Sequence, residues 1–400
     1  MENIFSLTTE ELKNIATELH NRIEEGLKED KQEISAIPTH INPKESFADE
    51  RVLALDWGGT NFRAAIVEYR NGNATIIEDY KNRLDWVVTK GFNQEKLHQK
   101  MAEYISCLKQ LDNKVTKIGY CFSYPAASRL NGDAILLRWT KNINIPDMID
   151  KPVGEPLLKY LNTHKDIQTT FNDIKVINDT VACLFAGLTE VDENKNPFDS
   201  YIGLIVGTGT NMASLMPLNK IEKLNSKGEG VIPVNLESGN FNPPYLTIID
   251  NLVDAMSNNK GSQRFEKAIS GGYLGEMYKT VFMNEKIPYN FDGGDLSNII
   301  NNPDKNPKNH VDIANWVYNR SALLVAASLA GLAQVLVKQN DKIKNIYLAA
   351  DGSVFWSNDY EKQVEAELKK LLPAGVKMKI SEKEKMNEPN LIGSAIAALS

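Results

Sequence analysis

The residues best equipped for chemistry stand together at 56–63, Asp56-Trp57-Gly58-Gly59-Thr60-Asn61-Phe62-Arg63. Val52 to Leu55 read as a short apolar strand ending in the Asp56 carboxylate, and Ala64 to Val67 read as the strand that follows. Gly58 and Gly59 allow a tight turn at backbone angles other residues avoid. The glycines therefore join two strands and do not open a helix. That pattern departs from dinucleotide folds and Walker-type loops, where phosphate sits on a helix N-terminus. A glycine hairpin still holds phosphate through its backbone N–H groups, with Thr60 and Asn61 as added donors. A carboxylate at a strand end suits Mg²⁺, which keeps most of its water. On these residues alone, an ordinary Gly-Gly hairpin remains open.

The same unit returns at 201–216. Ile202 to Val206 read as a strand, Gly207-Thr208-Gly209-Thr210-Asn211 as a glycine-rich turn, and Met212 to Met216 as a second strand. Gly209-Thr210-Asn211 repeats Gly59-Thr60-Asn61 at an interval of 150 residues. The repeat predicts a duplicated pair of half-domains that face each other, with a polyphosphate between the two hairpins. Two more strands stop at polar residues: Ile174–Ile177 before Asn178-Asp179-Thr180, and Ile346–Ala350 before Asp351-Gly352-Ser353. On pattern alone, Asn178-Asp179-Thr180 reads as a helix N-cap, Trp139-Thr140-Lys141 as a loop, and Glu237 and Glu266 as surface carboxylates.

Those groups need elements to place them. Residues 7–30 read as a helix capped by Thr8 or Thr9, with Ile15, Leu19, Ile23 and Leu27 as its apolar stripe. Residues 37–43 read as a connector and 74–90 as further strand. A helix is expected over 94–111, a buried strand over 115–122, and a strand running into a loop over 136–141. Helices are expected at 155–161, 181–188, 359–372 and 390–399. Strands alternating with helices, with hairpins among them, predict α/β architecture.

Composition narrows the function. With 400 residues there is room for two or three domains. Apolar residues at 42% and charged residues at 24% fit a globular protein. A net charge of −7 without a basic block gives no nucleic-acid arm, so an anionic ligand must be held locally. Cys107, Cys121 and Cys183 are scattered in apolar segments, as expected of reduced, buried thiols in a cytoplasmic protein. The five histidines are far apart and give no zinc pattern. The N-terminus lacks a basic region followed by an apolar run, so no signal peptide is expected. Ser321 to Val337 carries no charge, but at seventeen residues and with Ser328 and Gln334 it reads as a buried helix, not a membrane span.

Taken together, these residues resemble one family over nearly the whole chain: the sugar kinases of the hexokinase type, within the actin-like ATPase superfamily. The resemblance is carried by Leu53-Ala54-Leu55-Asp56-Trp57-Gly58-Gly59-Thr60-Asn61-Phe62-Arg63, Phe122-Ser123-Tyr124-Pro125 and Leu137-Arg138-Trp139-Thr140-Lys141. It continues through Val176-Ile177-Asn178-Asp179-Thr180-Val181, residues 203–211, Asn235-Leu236-Glu237, residues 263–276 and Asp351-Gly352-Ser353. The fold it implies is a two-lobed, ribonuclease H-like α/β structure with a cleft between lobes. Residues 50–178 plus 389–400 would form the small lobe, and 1–49 plus 179–388 the large lobe.

The activity the resemblance implies is transfer of the γ-phosphoryl group of Mg-ATP to the 6-hydroxyl of a hexose, glucose first, with mannose or fructose as rivals. Ser123, Thr140, Lys141, Asn178, Asp179, Asn211, Glu237 and Glu266 would surround the hexose. Asp179 would be the base, with Lys141 and Arg63 as catalytic cations. Asp56 would hold Mg²⁺ through water, and Gly58, Gly59, Thr60, Asn61, Gly207, Thr208, Gly209, Gly271, Gly352 and Ser353 would hold ATP. The chemistry agrees. A hexose is a ring of hydroxyls, each donor and acceptor, and bonds from hydroxyls to carboxylates are about twice as strong as neutral ones. Two departures lie beside the sugar pocket. The family has Trp-Gly where this chain has Ser238-Gly239, and Gly where it has Asn142. A sugar-binding regulator without catalysis is the other class of reading, and the intact Asp179 and hairpins speak against it. A single catalytic unit is expected, as a monomer or homodimer, binding hexose and ATP but neither nucleic acid nor membrane.

Overall fold

The computed structural model of the chain describes residues 2–44, 47–59, 61–83, 92–140 and 143–400. Its first half runs α1 (Glu2–Phe5), α2 (Thr9–Lys28), β1 (Ile37–Pro38), β2 (Glu50–Trp57), β3 (Asn61–Arg70), β4 (Asn73–Arg83), α3 (Gln94–Ile105), β5 (Lys117–Phe122), β6 (Ala126–Ser128), β7 (Ala134–Leu136), α4 (Gly154–Thr163), β8 (Asp173–Ile177) and α5 (Asp179–Gly187). The second runs β9 (Ser200–Val206), β10 (Thr210–Pro217), β11 (Val231–Asn235), α6 (Ile248–Met256), α7 (Arg264–Ile269), α8 (Gly271–Val281), α9 (Gly293–Asn301), α10 (Lys308–Gln339), β12 (Asn345–Asp351), α11 (Tyr360–Leu371), β13 (Lys377–Ile380) and α12 (Pro389–Leu399).

The glycine hairpins sit at the centres of two sheets. One has the order β4-β3-β2-β5-β8, the other β1-β11-β10-β9-β12-β13. In each, the hairpin and its next strand are antiparallel, and the hairpin's first strand continues into two parallel neighbours. With β1 set aside, the two orders are the same. The short repeat in sequence is therefore a repeat of a whole sheet, as the duplication predicts. Position in the sheet explains burial: central β2 is buried on both faces from Val52 on, while edge strand β4 alternates exposed and half-buried residues.

A helix follows the last strand of each half, and these two helices meet. α5 and α12 pack between the sheets, with Val181, Leu184, Leu391 and Ile396 joined by Ala54 from one sheet and Ala213 and Tyr347 from the other. The arrangement is two-lobed. Behind the second sheet, α10 packs against α2 and α11. It is the one helix among the described residues long and apolar enough to cross a membrane, and 78% of its most apolar window is buried inside the fold.

Several boundaries differ from expectation for local reasons. Thr8 is the cap of α2, because its hydroxyl accepts the Glu11 N–H while Glu11 reaches back to the Thr8 N–H. α3 stops at Ile105, not 111; the Glu78 carboxylate on β4 takes the amides of Lys109 and Gln110, at 2.9 and 2.6 Å, and holds that stretch in turns. Cys107, expected to be buried, is exposed just past that helix end, while Cys121 and Cys183 are buried and all three are free thiols. The expected strand over 84–90 lies outside the described residues.

Candidate active site

A cleft of about 1480 Å³ opens between the sheets. It is lined by Ser123, Thr140, Asn178, Asp179, Asn211, Glu237 and Glu266, so every described residue of the expected hexose set reaches it. Gly58, Thr208 and Gly209 line it as well. Lys141 and Thr60 lie outside the described residues, as does Asn142.

Aromatic neighbours place the residues on the first sheet's side. Trp57 follows Asp56, Tyr124 follows Ser123, and Trp139 precedes Thr140. These three rings pack together with centroids 4.9 to 5.5 Å apart. Trp139 Nε1 also donates to Ile145 O at 2.8 Å, and Trp57 Nε1 to Gly59 O at 2.9 Å. One aromatic cluster thereby fixes three segments that are distant in sequence. Gly59 has φ 145°, outside the range most side chains tolerate, which is why the turn needs glycine there.

On the other side the polar groups hold one another. Asn211 Oδ1 accepts from Met212 N at 2.7 Å and Ser238 N at 3.1 Å. Asn211 Nδ2 donates to Asn235 Oδ1 at 2.6 Å, and Asn235 Nδ2 donates to Glu237 Oε1 at 2.8 Å. Glu266 Oε2 accepts the Thr210 N–H at 3.0 Å, which ties that carboxylate to the second glycine hairpin. A side chain at 209 would bring its Cβ to 2.7 Å from the same oxygen, so any larger residue there would have to displace the Glu266 carboxylate. Burial pushes the Glu237 and Glu266 carboxyls above the usual range, opposed by Asn235 and by the Thr210 N–H respectively.

Asn178 is the cap of α5, its Oδ1 accepting Thr180 N at 2.9 Å. Asp179 is the first residue of the helix, with Oδ1 accepting Thr180 N at 2.8 Å and Thr180 Oγ1 at 3.3 Å. The capping duty that the sequence pattern shares among these residues therefore falls to Asn178.

The expected nucleotide residues do not all face the cleft. Gly207, Gly271 and Gly352 come together behind it. Gly271 N donates to Gly207 O at 2.7 Å, and a Cβ on Gly207 would lie 3.4 Å from Gly352 Cα. Gly352 has φ 114°, and a Cβ there would lie 2.7 Å from Gly207 N. Ser353 follows at the exposed end, and Asn61 is exposed at the start of β3. The glycines thus let three backbone segments approach closely, with the Val354 side chain 2.9 Å from a Cβ placed on Gly271. Arg63, expected as a catalytic cation, is not on the cleft wall. Its Nε and Nη2 meet Asp56 Oδ2 at 3.0 and 2.6 Å, and its Nη1 pairs with Glu388. Asp56 itself is buried, which pushes its carboxyl up against the pull of Arg63, and the Asp179 charge adds to the rise. Asp351 is raised by burial in the same way, with Asp179 again contributing.

Sequence reasoning left out four residues here. Asn235 and Arg138 stand inside quoted motifs. Asn235 lies two residues from Glu237, the period that puts strand neighbours on one face, and Arg138 lies near enough to oppose the rise at Glu237. Asp351 ends β12, the strand beside the second hairpin, within the quoted motif Asp351-Gly352-Ser353. Nothing in the sequence marked Asn390, whose amide reaches Asp56 Oδ1 at 3.4 Å from α12.

Known proteins match this chain throughout. One hexokinase family model covers residues 1–188, and a second covers 201–309 and 295–400. Hexokinase-1 of Saccharomyces cerevisiae is 30% identical over 406 residues, 89% of this chain and 81% of that protein. The chain belongs to the hexokinase family. Hexokinase-1 of Spinacia oleracea is 28% identical over 87% of this chain and 78% of its own length. The crystal structure of a Schistosoma mansoni hexokinase complexed with glucose superposes over 100% of this chain and 97% of that one, with a TM-score of 0.81 at 22% identity. A ROK hexokinase from Thermus thermophilus shares the fold more distantly, with a TM-score of 0.54 at 17% identity over 87% of this chain and 97% of that one. The two-lobed actin-like kinase architecture is thus shared. The chain is a sugar kinase, a phosphotransferase that phosphorylates a hexose with ATP.

Proposed function

We propose that the hexose is glucose, bound in the cleft with its 6-hydroxyl at Asp179, and that Mg-ATP delivers the phosphoryl group from the side of the two glycine hairpins. The observation that carries this reading is the position of Asp179. It stands in the cleft at the first turn of α5, with Ser123 and Thr140 on one wall and Asn211, Glu237 and Glu266 on the other. Asp179 accepts the proton as the hydroxyl attacks, and the carboxylates and amides hold the remaining hydroxyls. Phosphoryl transfer otherwise needs positioning and charge neutralisation. The lobes divide at 50–178 plus 389–400 and 1–49 plus 179–388, a division supported by the membership of the two sheets, and closing them excludes water as a rival acceptor. Cytoplasmic residence is supported by three unpaired cysteines.

The test is a coupled kinase assay of the purified chain with Mg-ATP and glucose, mannose or fructose. Glucose is expected to give the highest kcat/KM. A higher value for mannose or fructose reassigns the sugar, and no turnover with any hexose overturns the reading.

Mg²⁺ fits the site in hydrated form. Among the described residues no group of three His, Cys, Asp or Glu side chains is placed to grasp a bare ion. The charge of Asp179 instead adds to the rise of both the Asp56 and the Asp351 carboxyls, and a hydrated dication carried by phosphates would relieve that repulsion. Bound there, the metal supplies charge neutralisation of the phosphates, and Asp56 would hold its water. Excess EDTA is accordingly expected to abolish turnover, with Mg²⁺ restoring it; full activity in EDTA would remove the metal from the reading.

Glu237 and Glu266 accept sugar hydroxyls most strongly while ionised, and protonation turns one acceptor oxygen of each into a donor. Their burial-raised carboxyls take up protons at higher pH than exposed glutamates do. Glucose affinity by titration calorimetry is therefore expected to weaken as pH falls from about 7 to about 5. A flat profile would exclude them as acceptors.

A further inference from the structure

We propose that Asn235 is a positioning residue of the hexose site, setting Glu237 and Asn211 in the orientation that receives the sugar. The proposal rests on the hexose-site reading above. Asn235 is the last residue of β11, only 6% exposed, and it lines the cleft between the two residues it touches. Its carboxamide faces two partners of opposite need. Glu237 Oε1 requires a donor and receives Nδ2 at 2.8 Å; Asn211 Nδ2 requires an acceptor and meets Oδ1 at 2.6 Å. Asn211 cannot turn round to serve itself, because its own Oδ1 is committed to Met212 N and Ser238 N. Direction along this chain of amides is thus fixed from the backbone outward to the carboxylate.

Glu237 needs that support. Its backbone is in the left-handed region at φ 55°, where a strand no longer dictates where the side chain goes. With Oε1 held by Asn235, Oε2 is the oxygen left for a sugar hydroxyl. A carboxylate fixed before the ligand arrives loses less rotational freedom on binding. Held this way, Asn235 acts on the sugar through Glu237 and Asn211 and makes no demand on ATP.

The test compares Asn235→Asp, Asn235→Ala and Glu237→Gln, alone and with Asn235→Ala and Glu237→Gln combined. Asn235→Asp keeps the shape but turns the donor into a second carboxylate against Glu237. Hexose KM is expected to rise about tenfold or more in Asn235→Ala and further in Asn235→Asp, with ATP KM within about twofold. A role in packing alone predicts the reverse order, since Ala leaves a cavity and Asp does not. In the double variant the Asn235→Ala effect is expected to be smaller than in the single variant, because the part that runs through Glu237 is already lost and only the part through Asn211 remains. Unchanged hexose KM in both Asn235 variants, with Glu237→Gln raising it, overturns the proposal alone. Unchanged hexose KM in Glu237→Gln overturns the site reading and the proposal with it. Melting by circular dichroism checks that each variant is folded, and if Asn235→Asp is not, the Ala–Gln cycle decides.

Discussion

In Asp179→Asn, kcat is expected to fall at least about 10²-fold while hexose Kd changes less than about tenfold. The substitution isolates proton acceptance. Asp179 Oδ1 is already engaged by Thr180 N and Oγ1, and the asparagine oxygen can accept the same bonds in neutral form. The cap of α5 is Asn178, so helix stability does not ride on the change. What disappears is a charged oxygen able to take the hydroxyl's proton. That bond strengthens as the hydroxyl ionises, so its loss weighs on the transition state more than on the bound sugar. The expected loss corresponds to about 3 kcal/mol of barrier. Coupled-assay kcat together with calorimetric hexose Kd checks it. Near-native kcat would remove Asp179 as base, and loss of sugar binding with a folded chain would make it a ligand first.

Much of this site was visible in sequence because it is built from turn chemistry. Gly58-Gly59 and Gly207-Thr208-Gly209 mark their turns through backbone needs that few residues meet, so the hairpins and their repeat stand out without any structure. The apolar runs at β2, β5, β9 and β12 were legible because central strands are buried on both faces. The helices between 248 and 301 were not read as elements. They are short and interrupted by polar turns, and α6 is held by the cap Thr247 with Asp250, whose carboxylate also pairs with buried Arg320 across 70 residues. No local pattern announces that partner. The place of Arg63 was equally hidden, since Glu388 and Asn390 come to it and to Asp56 from the far end of the chain. Residue type suggested a cation for phosphate; the packing of α12 put carboxylates on it instead.

That packing sets the second large effect. α12 lies against α5 on one side and β5 on the other, and each contact is made at a glycine. A Cβ at 393 would overlap Ala182 O and lie 2.8 Å from Ala182 Cα. A Cβ at 119 would overlap Ser394 O and lie 3.1 Å from Ala395 N. All of these are backbone atoms, so no side chain can swing away to make room. Gly393→Ala must therefore push the two helices apart through the core that joins the lobes, where Val181, Leu391 and Ile396 interlock. Overpacking of this kind is expected to cost about 3 kcal/mol or more. Gly375→Ala is the control, because that glycine has φ 76° with nothing within 4 Å and should cost only about 1 kcal/mol of backbone strain. The displacement also reaches the chemistry: α5 begins with Asp179, and Asn390 of α12 touches Asp56. In urea unfolding, Gly393→Ala is expected to be far less stable than Gly375→Ala, with reduced kcat at temperatures where it remains folded. Equal stability of the two variants would show that the helices have room to separate, and that the lobes are not coupled through this contact.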